Sequence, residues 1–211
     1  MAAVQSIAQQ SPHGMAMWQR VKQARQAVSL RQALHTWLYR TPIQGSRPCE
    51  ANDADVVQTF LDAYFRALQQ QQTAQIDQLE ADGGDRATIR SRFETSLQTS
   101  RAFLSGEDVA ESDRHQVCRI RAALIFIESY RDLPLLAWPR LLLDTVVETE
   151  ELFILWRTRH ARMVERVIGR RVGTGGSSGV DYLDETAKYL IFPELWAVRT
   201  LLLPRVLLEG V

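Results

Sequence analysis

The chain has 211 residues, and its 25 Lys and Arg balance 25 Asp and Glu, so the formal net charge is zero. A nucleic-acid partner leaves a basic surplus or stripe and a membrane surface selects a basic amphipathic helix; apart from one local cluster between Arg157 and Arg171, neither pattern is present. No apolar run approaches the roughly 18 residues of a membrane-spanning helix, and the N-terminus lacks the charged and apolar regions of a secretory signal. Cys49 and Cys118 lie too far apart for metal-type spacing or a disulfide framework, so a cytoplasmic chain with reduced thiols is expected.

Residues 1–14 are polar, are broken by Ser11-Pro12 and Gly14, and read as a disordered lead-in to a single helical domain over 15–211. From Met15 to Tyr39 the apolar positions Trp18, Val21, Ala24, Val28, Leu34 and Trp37 keep helical spacing, which predicts one continuous helix. Thr41-Pro42 and Gly45-Ser-Arg-Pro48 end it in a loop. Asp53 is then expected to cap a second helix, with Val56, Val57, Phe60, Leu61, Tyr64, Phe65 and Leu68 on one face and Gln69–Gln72 as a solvated extension. After Gly83-Gly84 a third helix runs from about Asp85 to Leu104 through Ile89, Phe93, Leu97 and Phe103.

The second half is more apolar. His115 to Tyr130, with Ile120, Ala123, Leu124 and Ile127, predicts a buried helix that Leu133-Pro134 interrupts. A long helix follows from near Trp138 to Ile168 and stops at Gly169. Asp181–Tyr189 reads as a short helix, and Phe192-Pro-Glu194 opens a last one through Leu195, Val198 and Leu202. No strand alternation or fixed-period repeat is found. The fold class is all-α.

Chemistry concentrates at the end of the long helix. His160 shares one helical face with Phe153, Trp156, Val164 and Val167, at offsets of three, four and seven residues. Two readings follow: a hydrogen-bonded core histidine, or an imidazole ligand to haem iron behind an apolar wall that excludes water. No His-x-x-x-His, Glu-x-x-His or nearby cysteine pair supports a multi-ligand metal site, whereas a porphyrin brings four donors of its own. Around His160 lie Arg157, Arg159, Arg162, Arg166, Arg170 and Arg171, read mostly as a solvated face, with one or two able to pair with carboxylates. The segment Gly173-Thr-Gly-Gly-Ser-Ser-Gly179 fails as a phosphate cradle, because Val180-Asp181 follows instead of Lys-Ser/Thr and a helix precedes it. It is either a linker or a loop of amides and hydroxyls that approaches a small zwitterion, with Thr174 the best-placed group.

Several stretches resemble the C-terminal part of the tryptophan 2,3-dioxygenases. They are Val147-Glu-Thr-Glu-Glu-Leu-Phe-Ile-Leu-Trp-Arg-Thr-Arg-His160, Met163-Val-Glu-Arg-Val-Ile-Gly169, Gly173-Thr-Gly-Gly-Ser-Ser-Gly179 and Phe192-Pro-Glu-Leu-Trp-Ala-Val-Arg-Thr200. Arg121-Ala-Ala-Leu-Ile-Phe-Ile-Glu-Ser-Tyr-Arg-Asp-Leu-Pro134 and, less closely, Leu30–Pro42 share the likeness. The resemblance implies a haem-binding helical bundle of the tryptophan/indoleamine 2,3-dioxygenase type. It implies haem b as cofactor with His160 as its axial ligand, and Trp156, Arg159 and Val164 around the haem. Thr174 and Gly175 would hold the amino-acid end of the substrate. The implied reaction is O₂-dependent cleavage of the indole ring of L-tryptophan to N-formylkynurenine, in a homo-oligomer or with a partner chain. The same scaffold also admits a haem-dependent oxygenase or hydroxylase of another aromatic amino acid, or a non-catalytic haem-binding subunit. The family's N-terminal half, with its distal-side histidine, aromatic wall and substrate-clamping arginine in a Ser-Gly-Phe-Gln-Ser and Phe-Arg type stretch, has no counterpart in this sequence.

Overall fold

The computed structural model describes residues 12–83, 85–170, 179–203 and 208. Among them every regular element is helical, apart from an isolated bridge between Ile43 and Ser46. Two compact units are distinguished, Met1–Trp37 and Leu38–Val211.

In the first unit, α1 (Pro12–Gln26) begins at Pro12, inside the expected lead-in, because proline's fixed φ and missing N–H suit a first helical turn. The continuous helix expected over Met15–Tyr39 is two helices. It breaks at Ala27–Ser29, and α2 (Leu30–Arg40) starts afresh. The cause is a capping box: Ser29 Oγ accepts from the Gln32 amide at 3.2 Å, while Gln32 Oε1 accepts from the Ser29 amide at 3.0 Å. Apolar spacing carried across the break hid this local signal.

In the second unit, α3 (Asp53–Ala81) and α4 (Arg86–Leu104) form a helical hairpin, and Phe60, Leu61, Tyr64 and Ala67 of α3 are buried. Gln72, expected in a solvated tract, is buried too. Asp85 caps α4 by accepting from the Ala87 and Thr88 amides, each at 3.3 Å. Asp53 does not cap α3. Asn52 stands at that position, and Asp53 is buried in an ion pair with Arg119 at 2.8 Å while accepting from Ser46 Oγ at 3.0 Å.

The central element is α5 (Glu111–Ser129), which starts a turn earlier than expected and is buried from Arg119 through Ile125. It contacts α3, α4, α6 (Ala137–Ile168) and α8 (Pro193–Arg199). Phe60 meets Phe126 edge to face at 5.7 Å, and Tyr64 Oη donates to the Leu201 carbonyl at 2.5 Å, fixing the chain beyond α8. Helix α8 ends at Arg199, so Leu202 lies outside it. Pro134–Leu136 forms a single 3₁₀ turn into α6, which runs 32 residues, about 48 Å. It ends at Gly169 with φ +66°, a left-handed conformation that a side chain would strain. The short α7 (Gly179–Ala187) then packs along the last turns of α6.

Candidate functional site

Two faces of α6 differ sharply. Leu143, Val146, Val147, Glu150 and Ala161 are buried. A second row, Trp138, Leu141, Leu152, Phe153, Trp156, Met163 and Val167, is apolar yet 42–77 % exposed. At about 100° per residue these positions fall on one side of the helix, in two stretches, Trp138–Leu141 and Leu152–Val167, separated by Thr145, Glu148 and Thr149. His160 belongs to the second stretch. Its ring is half-buried and lies parallel to the Trp156 indole, with centroids 5.5 Å apart and planes 6° apart.

His160 is therefore not a core histidine. It stands on an open apolar surface, with Phe153, 42 % exposed, about two turns before it and Val167, 77 % exposed, about two turns after it. The apolar residues expected beside His160 share its face, and among the described residues they lie open to water. Val164 is half-buried at its edge and Arg159 is exposed on its other side. No group of three His, Cys, Asp or Glu side chains converges among the described residues. One imidazole with flat apolar surroundings suits a planar group that carries its own metal donors, and does not suit a bare ion.

Beside this stretch, Thr158, Arg159, Arg162, Met163, Arg166 and Val167 line an open hollow of about 520 Å³. The arginines around it divide by role. Arg159 and Arg166 make no ion pair among the described residues. Arg157 turns away and donates to the Tyr189 carbonyl at 2.8 Å and the Thr186 carbonyl at 3.4 Å. Arg162 pairs with Glu165 and Asp184, and Arg170 with Glu165 at 2.7 Å and Asp181 at 2.8 Å. Arg162 and Arg170 are exposed, as expected, and also join the end of α6 to α7, while Arg157 is half-buried against the end of α7. Arg171, Thr174 and Gly175 lie outside the described residues.

Glu150 escaped the sequence reading altogether. Its carboxylate is 1 % exposed and accepts from the Ile191 amide, from the Phe192 amide at 3.1 Å and from Trp196 Nε1 at 2.6 Å. It pins the start of α8 to the back of the helix whose open side carries His160. Within Glu148-Thr-Glu-Glu151 nothing local marks this carboxylate as the buried one; its register with the inward Leu143, Val146 and Val147 is the available signal.

The family model for tryptophan 2,3-dioxygenase matches residues 10–202. A tryptophan 2,3-dioxygenase of Sorangium cellulosum is 48 % identical over 183 residues, which cover 83 % of this chain and 43 % of that protein. A tryptophan 2,3-dioxygenase-like protein of Xanthomonas campestris is also 48 % identical, over 83 % of this chain and 65 % of its own length. Tryptophan 2,3-dioxygenase 2 of Ralstonia nicotianae is 46 % identical over 83 % of this chain and 48 % of its length. The chain thus spans 43–65 % of the length of these curated relatives.

Proposed function

The chain belongs to the tryptophan 2,3-dioxygenase family, and on that premise we propose that it is the proximal, haem-holding part of an enzyme that cleaves the indole ring of L-tryptophan. The observation that carries this reading is His160, parallel to Trp156 on an apolar surface that the described residues leave open.

Haem b bound here would supply reductive activation of O₂, both of whose atoms enter the product as the indole C2–C3 bond opens to N-formylkynurenine. The chain's own residues would hold it. His160 would bind the iron through one ring nitrogen, and the parallel Trp156 indole restricts the rotation of that ring. Phe153 and Val167 would extend the apolar surface beside it. Arg159 and Arg166, which make no ion pair among the described residues, would meet propionates, for which a guanidinium is a bidentate partner. Thr174 and Gly175 are assigned to the ammonium and carboxylate end of tryptophan, where a hydroxyl and backbone amides would orient a zwitterion.

The distal groups of the pocket are supplied by polypeptide beyond these residues, in a homo-oligomer or from a partner chain. Among the described residues no helix is long and apolar enough to cross a membrane, and Cys49 and Cys118 are unpaired, which supports a cytoplasmic setting.

The test is spectroscopic first and catalytic second. The purified chain, reconstituted with haem, is expected to show a Soret band with a nitrogenous axial donor, and His160→Ala to lose it. Ferrous protein given tryptophan and O₂ is expected to form N-formylkynurenine. A wild-type spectrum that His160→Ala leaves unchanged would overturn the assignment.

A further inference from the structure

Helices α3 and α4 line a cleft of about 240 Å³ that contains none of the residues assigned to haem or tryptophan above. Ile76, buried, and Phe93 and Leu97, half-buried, give it an apolar lining. Gln72 lines it too, four residues from both Leu68 and Ile76, on a row of α3 where an apolar side chain would pack. Gln72 is 8 % exposed, and its carboxamide makes no hydrogen bond among the described residues. A buried amide without a partner is destabilising, and a ligand that brings a hydrogen-bonding group into the cleft removes that penalty.

The charged groups of the cleft narrow the ligand further. Arg86 is committed, to Glu80 at 2.6 Å and to Asp77 at 3.7 Å. Arg90 and Glu94 stand about one turn apart on α4, both exposed, and neither makes an ion pair among the described residues. A simple anion drawn to Arg90 would meet Glu94 beside it, and a simple cation drawn to Glu94 would meet Arg90. A zwitterion satisfies both.

We infer that this cleft binds a small zwitterionic amino acid whose apolar side chain ends in a hydroxyl, the chemistry of L-tyrosine. Arg90 takes the carboxylate and Glu94 the ammonium group. Ile76, Phe93 and Leu97 cover the ring, and Gln72 takes the hydroxyl. A hydroxyl both donates and accepts, so it pairs with whichever of Oε1 and Nε2 the carboxamide presents. An indole N–H only donates, and a plain hydrocarbon side chain leaves the amide unpaired. The site stands apart from the functional reading above, because no residue of it is asked to hold haem or to touch the reacting atoms.

The experiment is amide NMR of the isotope-labelled full chain, titrated with L-tyrosine. Saturable shifts are expected at Gln72, Thr73, Phe93 and Glu94, and they persist in His160→Ala, which separates the cleft from the haem surface. L-Phenylalanine is expected to bind about tenfold more weakly, as the loss of one buried hydrogen bond implies. Gln72→Leu removes that preference, and its ligand-free melting temperature stays at or above wild type, since an unpaired amide has been replaced by an apolar group. Tyramine and N-acetyl-L-tyrosine, which each lack one charge, bind several-fold more weakly than L-tyrosine. The exposed change Arg90→Gln weakens L-tyrosine and leaves tyramine where it was. Should Gln72→Leu fail to fold, the wild-type comparison of L-tyrosine with L-phenylalanine still decides. Absence of saturable shifts at the cleft, equal affinity for the two amino acids in wild type, or shifts that vanish in His160→Ala overturns the site.

Discussion

The indole of Trp156 lies one helical turn before the imidazole of His160 and parallel to it, at 5.5 Å and 6°. An i, i+4 pair on a helix brings side chains together in this way, and stacked rings add roughly 0.5–1.5 kcal/mol to the contact. Trp156 is 60 % exposed, so it contributes little to folding. Trp156→Ala should leave the melting temperature near that of wild type while weakening haem binding up to about tenfold, the equivalent of that stacking energy. Trp156→Phe should retain most of the affinity. Haem titration followed at the Soret band decides it, and equal affinity in all three proteins would show that the stack does not orient the ligand.

Two carboxyl groups give the folded state opposite responses to pH. Asp108 is held below the ordinary carboxylate range chiefly by its hydrogen bonds from Arg121, at 2.6 and 2.7 Å. A depressed folded value contributes stability above the unfolded pKa of about 3.9, and that contribution is lost as pH falls through the folded value. Glu128 is pushed up by burial, with Asp144 adding to the effect and Arg199, Arg131 and Arg140 opposing it. Its contribution is complete below an unfolded pKa of about 4.3 and is lost as pH rises through the folded value. Glu128→Gln should therefore raise the melting temperature at neutral pH, with the gain vanishing in acid. Asp108→Asn should lower it at neutral pH, with the loss vanishing in stronger acid. Melting temperature against pH for the three proteins gives the signs directly.

The helices with the cleanest apolar period, α3 to α6, were legible because their inward positions recur every three or four residues. The break at Ser29 was not, since Val28 and Leu34 kept the period running while the Ser29–Gln32 capping box ended the helix. His160 and its neighbours could be placed on one face from offsets alone. Which face of α6 is open could not, because Trp138, Leu141 and Trp156 on one side are as apolar as Leu143, Val146 and Val147 on the other. Arg162 and Arg170 are exposed, as expected, but their pairing was not legible, because Asp181 and Asp184 reach them from another helix. No local pattern encodes that pairing.

Arg119 and Asp53 show what a buried charge pair demands. Their side chains are 1 % and 7 % exposed, and the guanidinium also donates to the Tyr39 carbonyl at 2.9 Å and the Thr41 carbonyl at 3.1 Å. Arg119→Met strands the Asp53 carboxylate and two carbonyls, and should cost about 3–5 kcal/mol. Arg119→Met combined with Asp53→Leu removes both charges and should recover part of that loss. Urea unfolding of the two variants checks this. A double variant no more stable than the single one would mean that the two carbonyls, not the stranded charge, set the cost.

Glu150 separates stability from the proposed chemistry within one helix. Its carboxylate gathers two backbone amides and the Trp196 indole N–H on the inward side of α6, while His160 faces outward. Glu150→Ala leaves those donors buried without acceptors, and at roughly 1–3 kcal/mol for each unsatisfied group it should lower stability by several kcal/mol. Glu150→Gln keeps the shape and one carbonyl oxygen but turns an amide N–H₂ towards donors, so a smaller loss of about 1–2 kcal/mol is expected. The loosened element is α8, whose Leu195 and Val198 are buried where it meets α5, on the far side from the open row. At a temperature where both variants remain folded, haem affinity should therefore match that of wild type. Denaturation midpoints and a haem titration on the same preparations test the two halves together. A loss of haem affinity in folded Glu150→Gln would show that the buried carboxylate also sets the orientation of α6 at His160.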